Sequence, residues 1–221
     1  MTDRIGLFGG TFDPIHLGHV RAAREVLERF ALDRILFIPS FIPPHKERKG
    51  MAPARDRLRM VELACAGEPR FAASSIEVDA GGRSYSILTL ERIRALHPGA
   101  RIFFILGADA FLEIGTWREH ERVLEESLFI VMTRPGTRLE DAAGVVGEPL
   151  RKRIRAVADG ETVDEALTGD HRIFLLPIRA MDVSSTEVRR RVGAGESVAG
   201  LVPEAVGDHI RSHGLYRTPE A

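Results

Sequence analysis

Two histidines set three residues apart behind a double glycine form the densest group of reactive side chains in this 221-residue chain. They lie in the string Gly9-Gly10-Thr11-Phe12-Asp13-Pro14-Ile15-His16-Leu17-Gly18-His19. Glycine lets the backbone come close to a phosphate, and imidazoles in the first turn of a helix can face one way beside its positive end. Such a pair suits hydrogen bonding to phosphate oxygens, although a glycine turn followed by two surface histidines is also ordinary. A second group, Val183-Ser184-Ser185-Thr186-Glu187-Val188-Arg189, offers hydroxyls and a guanidinium at a helix start. It reads either as another anion site or as a plain N-cap ahead of a solvated Arg189-Arg190-Arg191 face.

The elements that position these groups follow from apolar spacing. Ile5, Leu7 and Phe8 make a short strand ending at Gly9-Gly10, and Leu17 to Phe30 has helical period. Ile35 to Ile38 is a second strand, halted by Pro39, after which a proline-rich loop carrying Lys46, Arg48 and Lys49 runs to Pro53. Helices are expected over Ala54 to Ala66 and Tyr85 to Leu96, the latter capped by Ser84, with extended chain around Phe71 to Val78. Arg101 to Leu106 and Leu128 to Thr133 are continuous apolar runs, the mark of strands covered on both faces. Residues 137–172 lack a clear period; one helix is expected there, with Arg151 to Arg155 on its solvated face. A strand at Ile173 to Leu176 precedes two helices, one from about Ser184 and one from Pro203 to His213. Strands alternating with helices imply an α/β fold: a Rossmann-like, doubly wound parallel sheet with helices on both faces, in a single domain over 1–221 with a helical C-terminal portion from about 184.

Composition narrows the function classes. Lys and Arg total 31 against 32 Asp and Glu, a net charge of -1, which excludes a protein held to nucleic acid mainly by charge. No apolar run approaches the length needed to span a bilayer, and Met1 to Arg4 leads into a strand with no signal-peptide pattern, so no membrane partner and a cytoplasmic location are expected. Cys65, the only cysteine, excludes an internal disulfide and reads as a small buried side chain. The first 60 residues hold 11 Lys and Arg against 7 Asp and Glu, so the end bearing the glycine string is the basic end. Neither the lysine-bearing phosphate loop nor the three-glycine dinucleotide fingerprint occurs.

The glycine-histidine string closely resembles the HxGH signature of the nucleotidyltransferase superfamily. Together with the Ser184 to Arg189 group it is similar to the bacterial nicotinate-nucleotide adenylyltransferases, from Ile5 nearly to Tyr216. Pro43-Pro44-His45-Lys46 resembles that family's PPHK loop, Gly107-Ala108-Asp109 its GxD turn, Thr116-Trp117-Arg118 its TW segment, and Gly214-Leu215-Tyr216 its ending. Arg83-Ser84-Tyr85-Ser86 fits its SYT segment with Ser86 in place of Thr.

The resemblance implies transfer of the adenylyl group of ATP to nicotinate mononucleotide, giving nicotinate adenine dinucleotide and pyrophosphate in NAD biosynthesis. It implies His16, His19, Lys46 and Arg189 as catalytic residues. Gly9, Gly10, Thr11, Phe12, Gly107, Asp109, Ser184, Ser185 and Thr186 would join His16, His19 and Arg189 around ATP. His45, Lys46, Tyr85, Ser86, Trp117 and Arg134 would bind the mononucleotide, Lys46 at its phosphate and Trp117 on its pyridine ring. Mg²⁺ would arrive with ATP, since no all-protein metal cage is visible. Assembly into a homo-oligomer is left open. The rival readings are a phosphopantetheine-type adenylyltransferase, which lacks the PPHK and TW segments, a cytidylyltransferase, and a nucleotide sensor without turnover.

Overall fold

The apolar runs form seven strands: β1 (Arg4–Gly10), β2 (Arg34–Pro39), β3 (Phe71–Ala73), β4 (Arg101–Gly107), β5 (Leu128–Thr133), β6 (Ile154–Ala156) and β7 (Ile173–Pro177). In the computed structural model, which describes residues 2–43, 50–133, 143–164, 168–179 and 182–217, they make one sheet in the order β3-β2-β1-β4-β5-β7-β6. The pairs β1–β4, β4–β5, β5–β7 and β6–β7 are parallel, with Phe8 opposite Ile105 in the first. Chain order reverses between β1 and β4, the switch point at which open α/β sheets bind ligands beyond the carboxyl ends of their strands. The expected Rossmann-like architecture is therefore met.

Eight helices are described: α1 (Leu17–Arg29), α2 (Ala54–Cys65), α3 (Ile76–Ala80), α4 (Ser86–Leu96), α5 (Ala108–Leu112), α6 (His120–Glu126), α7 (Ser185–Gly193) and α8 (Glu204–Ser212). None of the described helices is long and apolar enough to cross a membrane. The chain divides into two compact units.

Unit 1 comprises Met1–Gly9, Ala22–Leu36 and Tyr85–Ala180. Its core is aromatic: Phe30, Phe103, Phe129 and Phe174 are fully buried, with Phe30 edge-on to Phe174 at 5.3 Å between ring centroids. Each contributes roughly 1.5–3 kcal/mol by leaving water. Gly6 in β1 allows the close packing, because a Cβ there would lie 2.7 Å from Ile105 Cδ1 and 2.9 Å from Leu32 Cδ1. Arg4 is buried as well, its guanidinium donating to the Phe30 and Val163 carbonyls and lying over the Phe103 ring.

Unit 2 comprises Gly10–Arg21, Phe37–Ser84 and Met181–Ala221. Its hub is the fully buried Arg57 of α2, which donates to three carbonyls from separate stretches: Ala52 at 3.1 Å, Thr11 at 2.7 Å and Phe41 at 3.0 Å. Cys65, also on α2, is buried as expected, and burial with the nearby Glu62 pushes its thiol up to about 12.

Three expectations need correction. Ser84 does not cap α4: the cap residue is Tyr85, and the Ser84 hydroxyl accepts instead from the Phe41 N–H at 3.0 Å. Residues beyond Ala73 are not extended, because the chain turns after β3 into α3. Within 143–164 and 168–172, Arg151 to Arg155 form no solvated helix face; they run through a 3-10 turn, Leu150–Arg153, into the edge strand β6. A strand of three residues is too short to leave an alternating pattern.

Candidate active site

Everything that unit 2 gathers around His16 and His19 follows from the end of β1. The chain leaves the strand at Gly10 and passes through Phe12 with φ of 47°, a left-handed conformation that is costly for a residue with a Cβ. The Phe12 ring is thereby buried edge-on against His19, with centroids 5.2 Å apart, and packs on Phe37. The same ring lies 3.1 Å from where a Cβ on Gly10 would stand, which explains that glycine, whereas the space above Gly9 is open.

His16 is buried and its ring stacks on His19, with centroids 3.7 Å apart and planes 26° from parallel. The His16 backbone N–H donates to His19 Nδ1 at 3.2 Å. An accepting Nδ1 places the proton of the neutral ring on Nε2, so His19 presents Nε2–H as a donor. His16 Nδ1 is a buried polar atom without a hydrogen-bond partner among the described residues, the kind of group that a ligand satisfies. Burial lowers the His16 pKa to about 4. Burial, then the charge of His16, lowers His19 to about 3, so two uncharged donors stand here at neutral pH.

Gly18 completes the pair. A Cβ on it would lie 3.0 Å from His16 Nδ1 and 3.1 Å from Val183, so only glycine lets the imidazole lie against the first turn of α1. Within unit 2 the second group arrives next to the first. Ser184 caps α7 by accepting from the Glu187 N–H at 3.1 Å, and Ser185 Oγ donates to the Pro14 carbonyl at 2.9 Å. Arg189 Nη1 donates to the Asp13 carbonyl at 2.6 Å and lies 3.8 Å from its carboxylate, while Nη2 is 3.4 Å from Thr186 Oγ1. Arg189 is thus anchored on the glycine-histidine loop. Arg190 and Arg191, by contrast, pair with Glu187 and hold its carboxyl down at about 2.

Asp13 is the strut that the motif reading passed over. Its Oδ1 accepts from the Ala52 N–H at 3.0 Å and from the Tyr216 hydroxyl at 2.7 Å, and burial then Asp13 raise the Tyr216 pKa. Asp13 and Tyr216 both belong to motifs visible in the sequence, but their pairing has no local signal. Arg57, whose bond to the Thr11 carbonyl holds the loop from below, has none at all.

Unit 1 holds the remaining described candidates. Gly9 is the next-to-last residue of β1 and Gly107 the last of the neighbouring β4, and Gly107 is the cap residue of α5, with Asp109 exposed in its first turn. Tyr85 and Ser86 open α4, where first-turn N–H groups lack partners within the helix. Arg118 lies over the Tyr85 ring, 5.3 Å from its centroid, and the neighbouring Trp117 is half-buried. Arg118 was not among the sequence candidates; only its place beside Trp117 pointed to it. His45, Lys46 and Arg134 lie outside the described residues.

The family model described as Cytidylyltransferase-like matches residues 7–191. A curated protein of Desulfatibacillum aliphaticivorans named "Probable nicotinate-nucleotide adenylyltransferase" is 44% identical over 218 residues, covering 96% of this chain and 99% of its own. One of the same name from Solibacter usitatus is 46% identical over 214 residues, covering 96% and 99%. Among solved structures, Plasmodium falciparum nicotinic acid mononucleotide adenylyltransferase complexed with NaAD superposes with a TM-score of 0.68 at 18% identity, over 97% of both chains, a likeness of fold. By family match and by full-length identity, the chain belongs to the cytidylyltransferase-like family and, within it, to the nicotinate-nucleotide adenylyltransferases.

Proposed function

We propose that the protein joins nicotinate mononucleotide to ATP, releasing pyrophosphate, with the whole chain working as one nucleotidyltransferase domain in the cytoplasm. The observation that carries the chemistry is the stacked, uncharged His16–His19 pair lying beside the cap of α7 within unit 2. The substrate rests on the relatives' names and on the PPHK, SYT-like and TW segments.

The mononucleotide phosphate has its second pKa near ~6, so at neutral pH the attacking oxygen is already anionic and no general base is required. One of its oxygens bonds to the α-phosphorus while the bond from that phosphorus to the bridging oxygen breaks, and pyrophosphate departs. Opposing this are repulsion between polyanions and charge growing on the leaving oxygen; positioned donors answer both. His19 Nε2–H and His16 serve the ATP phosphates, with Gly9, Gly10 and Thr11 lining the same loop and Phe12 fixing the His19 ring. The start of α7 at Ser184, Ser185 and Thr186 receives the β and γ groups. Arg189, with its Nη groups already turned to Asp13 and Thr186, supplies fixed positive charge beside them. Gly107 and Asp109 bind the nucleoside portion, and Mg²⁺ enters as part of the MgATP substrate.

On the acceptor side, Lys46 and His45 take the mononucleotide phosphate and Arg134 contributes further positive charge. Backbone N–H groups at the start of α4, by Tyr85 and Ser86, hold the nicotinate carboxylate, and Trp117 stacks on the pyridine ring. The test is pyrophosphate release from MgATP with nicotinate mononucleotide, nicotinamide mononucleotide and phosphopantetheine as separate acceptors. Release is expected with the first well above the others. Release with phosphopantetheine alone would reassign the acceptor, and no release from folded, ATP-binding protein would make it a sensor.

A further inference from the structure

Within unit 2, α8 packs beside α2, and three side chains with metal-binding atoms meet where they touch. His209 Nε2 lies 3.1 Å from Asp56 Oδ1. The His209 and His213 rings overlap with centroids 4.0 Å apart, as the i, i+4 spacing on one helix face demands. One ligand atom from each of Asp56, His209 and His213 lies within 4.8 Å of the others. Asp56 and His209 are half-buried and His213 is exposed, so the group is anchored in protein and open to water on one side.

The tautomer of His213 is set by its surroundings. Its Nδ1 lies 3.1 Å from the His209 carbonyl oxygen and 3.0 Å from Ser212 Oγ. A carbonyl only accepts, so Nδ1 carries the proton and the Nε2 lone pair faces outward. A second ring nitrogen tied to a backbone carbonyl is how proteins orient an imidazole toward a metal.

We propose that Asp56, His209 and His213 bind one first-row divalent cation of the zinc class, with water completing the shell. Two imidazoles and a carboxylate suit zinc and its neighbours; calcium and magnesium favour all-oxygen sets. Ligands at 2.0–2.2 Å from a tetrahedral ion stand roughly 3.3 Å from each other, close to the Asp56–His209 separation already present. The third donor, on the exposed His213, lies within 4.8 Å of the other two. In the sequence only the four-residue spacing of His209 and His213 is local, because Asp56 and His209 are 153 positions apart.

The bound ion would pin α8 to α2. The chain leaves α8 through Gly214, at φ of 61°, and reaches Tyr216, whose hydroxyl holds Asp13. The site shares no residue with the His16–His19 pair and acts as a structural tie upstream of the Tyr216 strut.

The experiment is zinc chloride titration of the full chain by calorimetry, without nucleotide, together with thermal melting. One equivalent is expected to bind at micromolar concentration or tighter, and saturating zinc to raise the melting temperature by about 5–10 °C. His213→Gln, at an exposed position, should weaken binding at least tenfold and abolish the thermal shift. Asp56→Asn should weaken it too, and His97→Gln, at a histidine of unit 1 outside the cluster's residues, should change neither. Absence of zinc binding, or equal binding by wild type and His213→Gln, overturns the proposal; the latter would mean zinc sits on His16 and His19 or on scattered surface groups.

Discussion

The hydroxyl of Tyr216 donates to Asp13 Oδ1 at 2.7 Å, joining two residues 203 positions apart. Through Asp13 that bond reaches the loop carrying both histidines, which Arg189 and Ala52 N–H grip at the same residue. Tyr216→Phe removes one partner and leaves the carboxylate oxygen with Ala52 alone. Stability should fall by about 1 kcal/mol, and turnover should fall further than stability explains because the loop loses its alignment. Denaturant midpoints compared with the rate of pyrophosphate release at saturating substrate check both; full turnover would show that Asp13 needs no third partner.

His19→Ala should leave the fold intact and lower turnover roughly 100-fold to 1,000-fold, the scale of losing one preorganised transition-state donor. Circular dichroism establishes folding and the steady-state rate the loss. A variant with wild-type turnover would remove His19 from the chemistry.

The histidine pair makes stability depend on pH in a definite sense. Both pKa values are depressed, to about 4 and about 3, from 6.5 in the unfolded chain, so between those limits the unfolded state binds more protons. The pair's contribution is therefore fully present above pH 6.5 and declines as pH falls, by at most about 1.4 kcal/mol per pH unit for each group. Replacing both with Asn should flatten the denaturation profile between pH 6.5 and 4. An unchanged slope would mean the imidazoles protonate freely in the folded state.

Gly18→Ala places a methyl 3.0–3.1 Å from the His16 ring and Val183. Two of the three nearest atoms belong to the His16 ring, which must give by a few tenths of an ångström, so catalytic loss should exceed the change in melting temperature. Gly6→Ala, which drives a methyl to 2.7 Å from Ile105 in the core of unit 1, should show the reverse: a melting temperature lowered by several degrees with normal activity per folded molecule. Measuring both properties on both variants separates positioning from packing.

What could be read from the chain before folding was what depends on neighbours in sequence. The strands β4 and β5 are visible because their apolar runs are continuous, β1 because Ile5, Leu7 and Phe8 cluster before the double glycine, and the α7 cap because Ser184 and the N–H it satisfies are three residues apart. Both halves of the candidate site were legible for the same reason, each being one short string. Long-range bonds left no trace: Arg57 looks like any helical arginine until three carbonyls converge on it. Ser84 misled because a serine just before a helix serves equally well as a cap or as an acceptor for a distant N–H, and here Phe41 takes it. Phe12 carries no local signal either, since a phenylalanine in a left-handed conformation is unusual and its ring packs on Phe37, 25 positions away.

The bond from Tyr216 to Asp13 also fixes when the enzyme can come into being. During synthesis the glycine-histidine loop precedes its strut by 203 residues, about 10 to 40 s at ordinary ribosome speeds. Arg189 and the start of α7 are likewise late arrivals. For that interval a nascent chain carries the two histidines without the frame that aligns them, and ATP meets an assembled site only on molecules in which Tyr216 has been added.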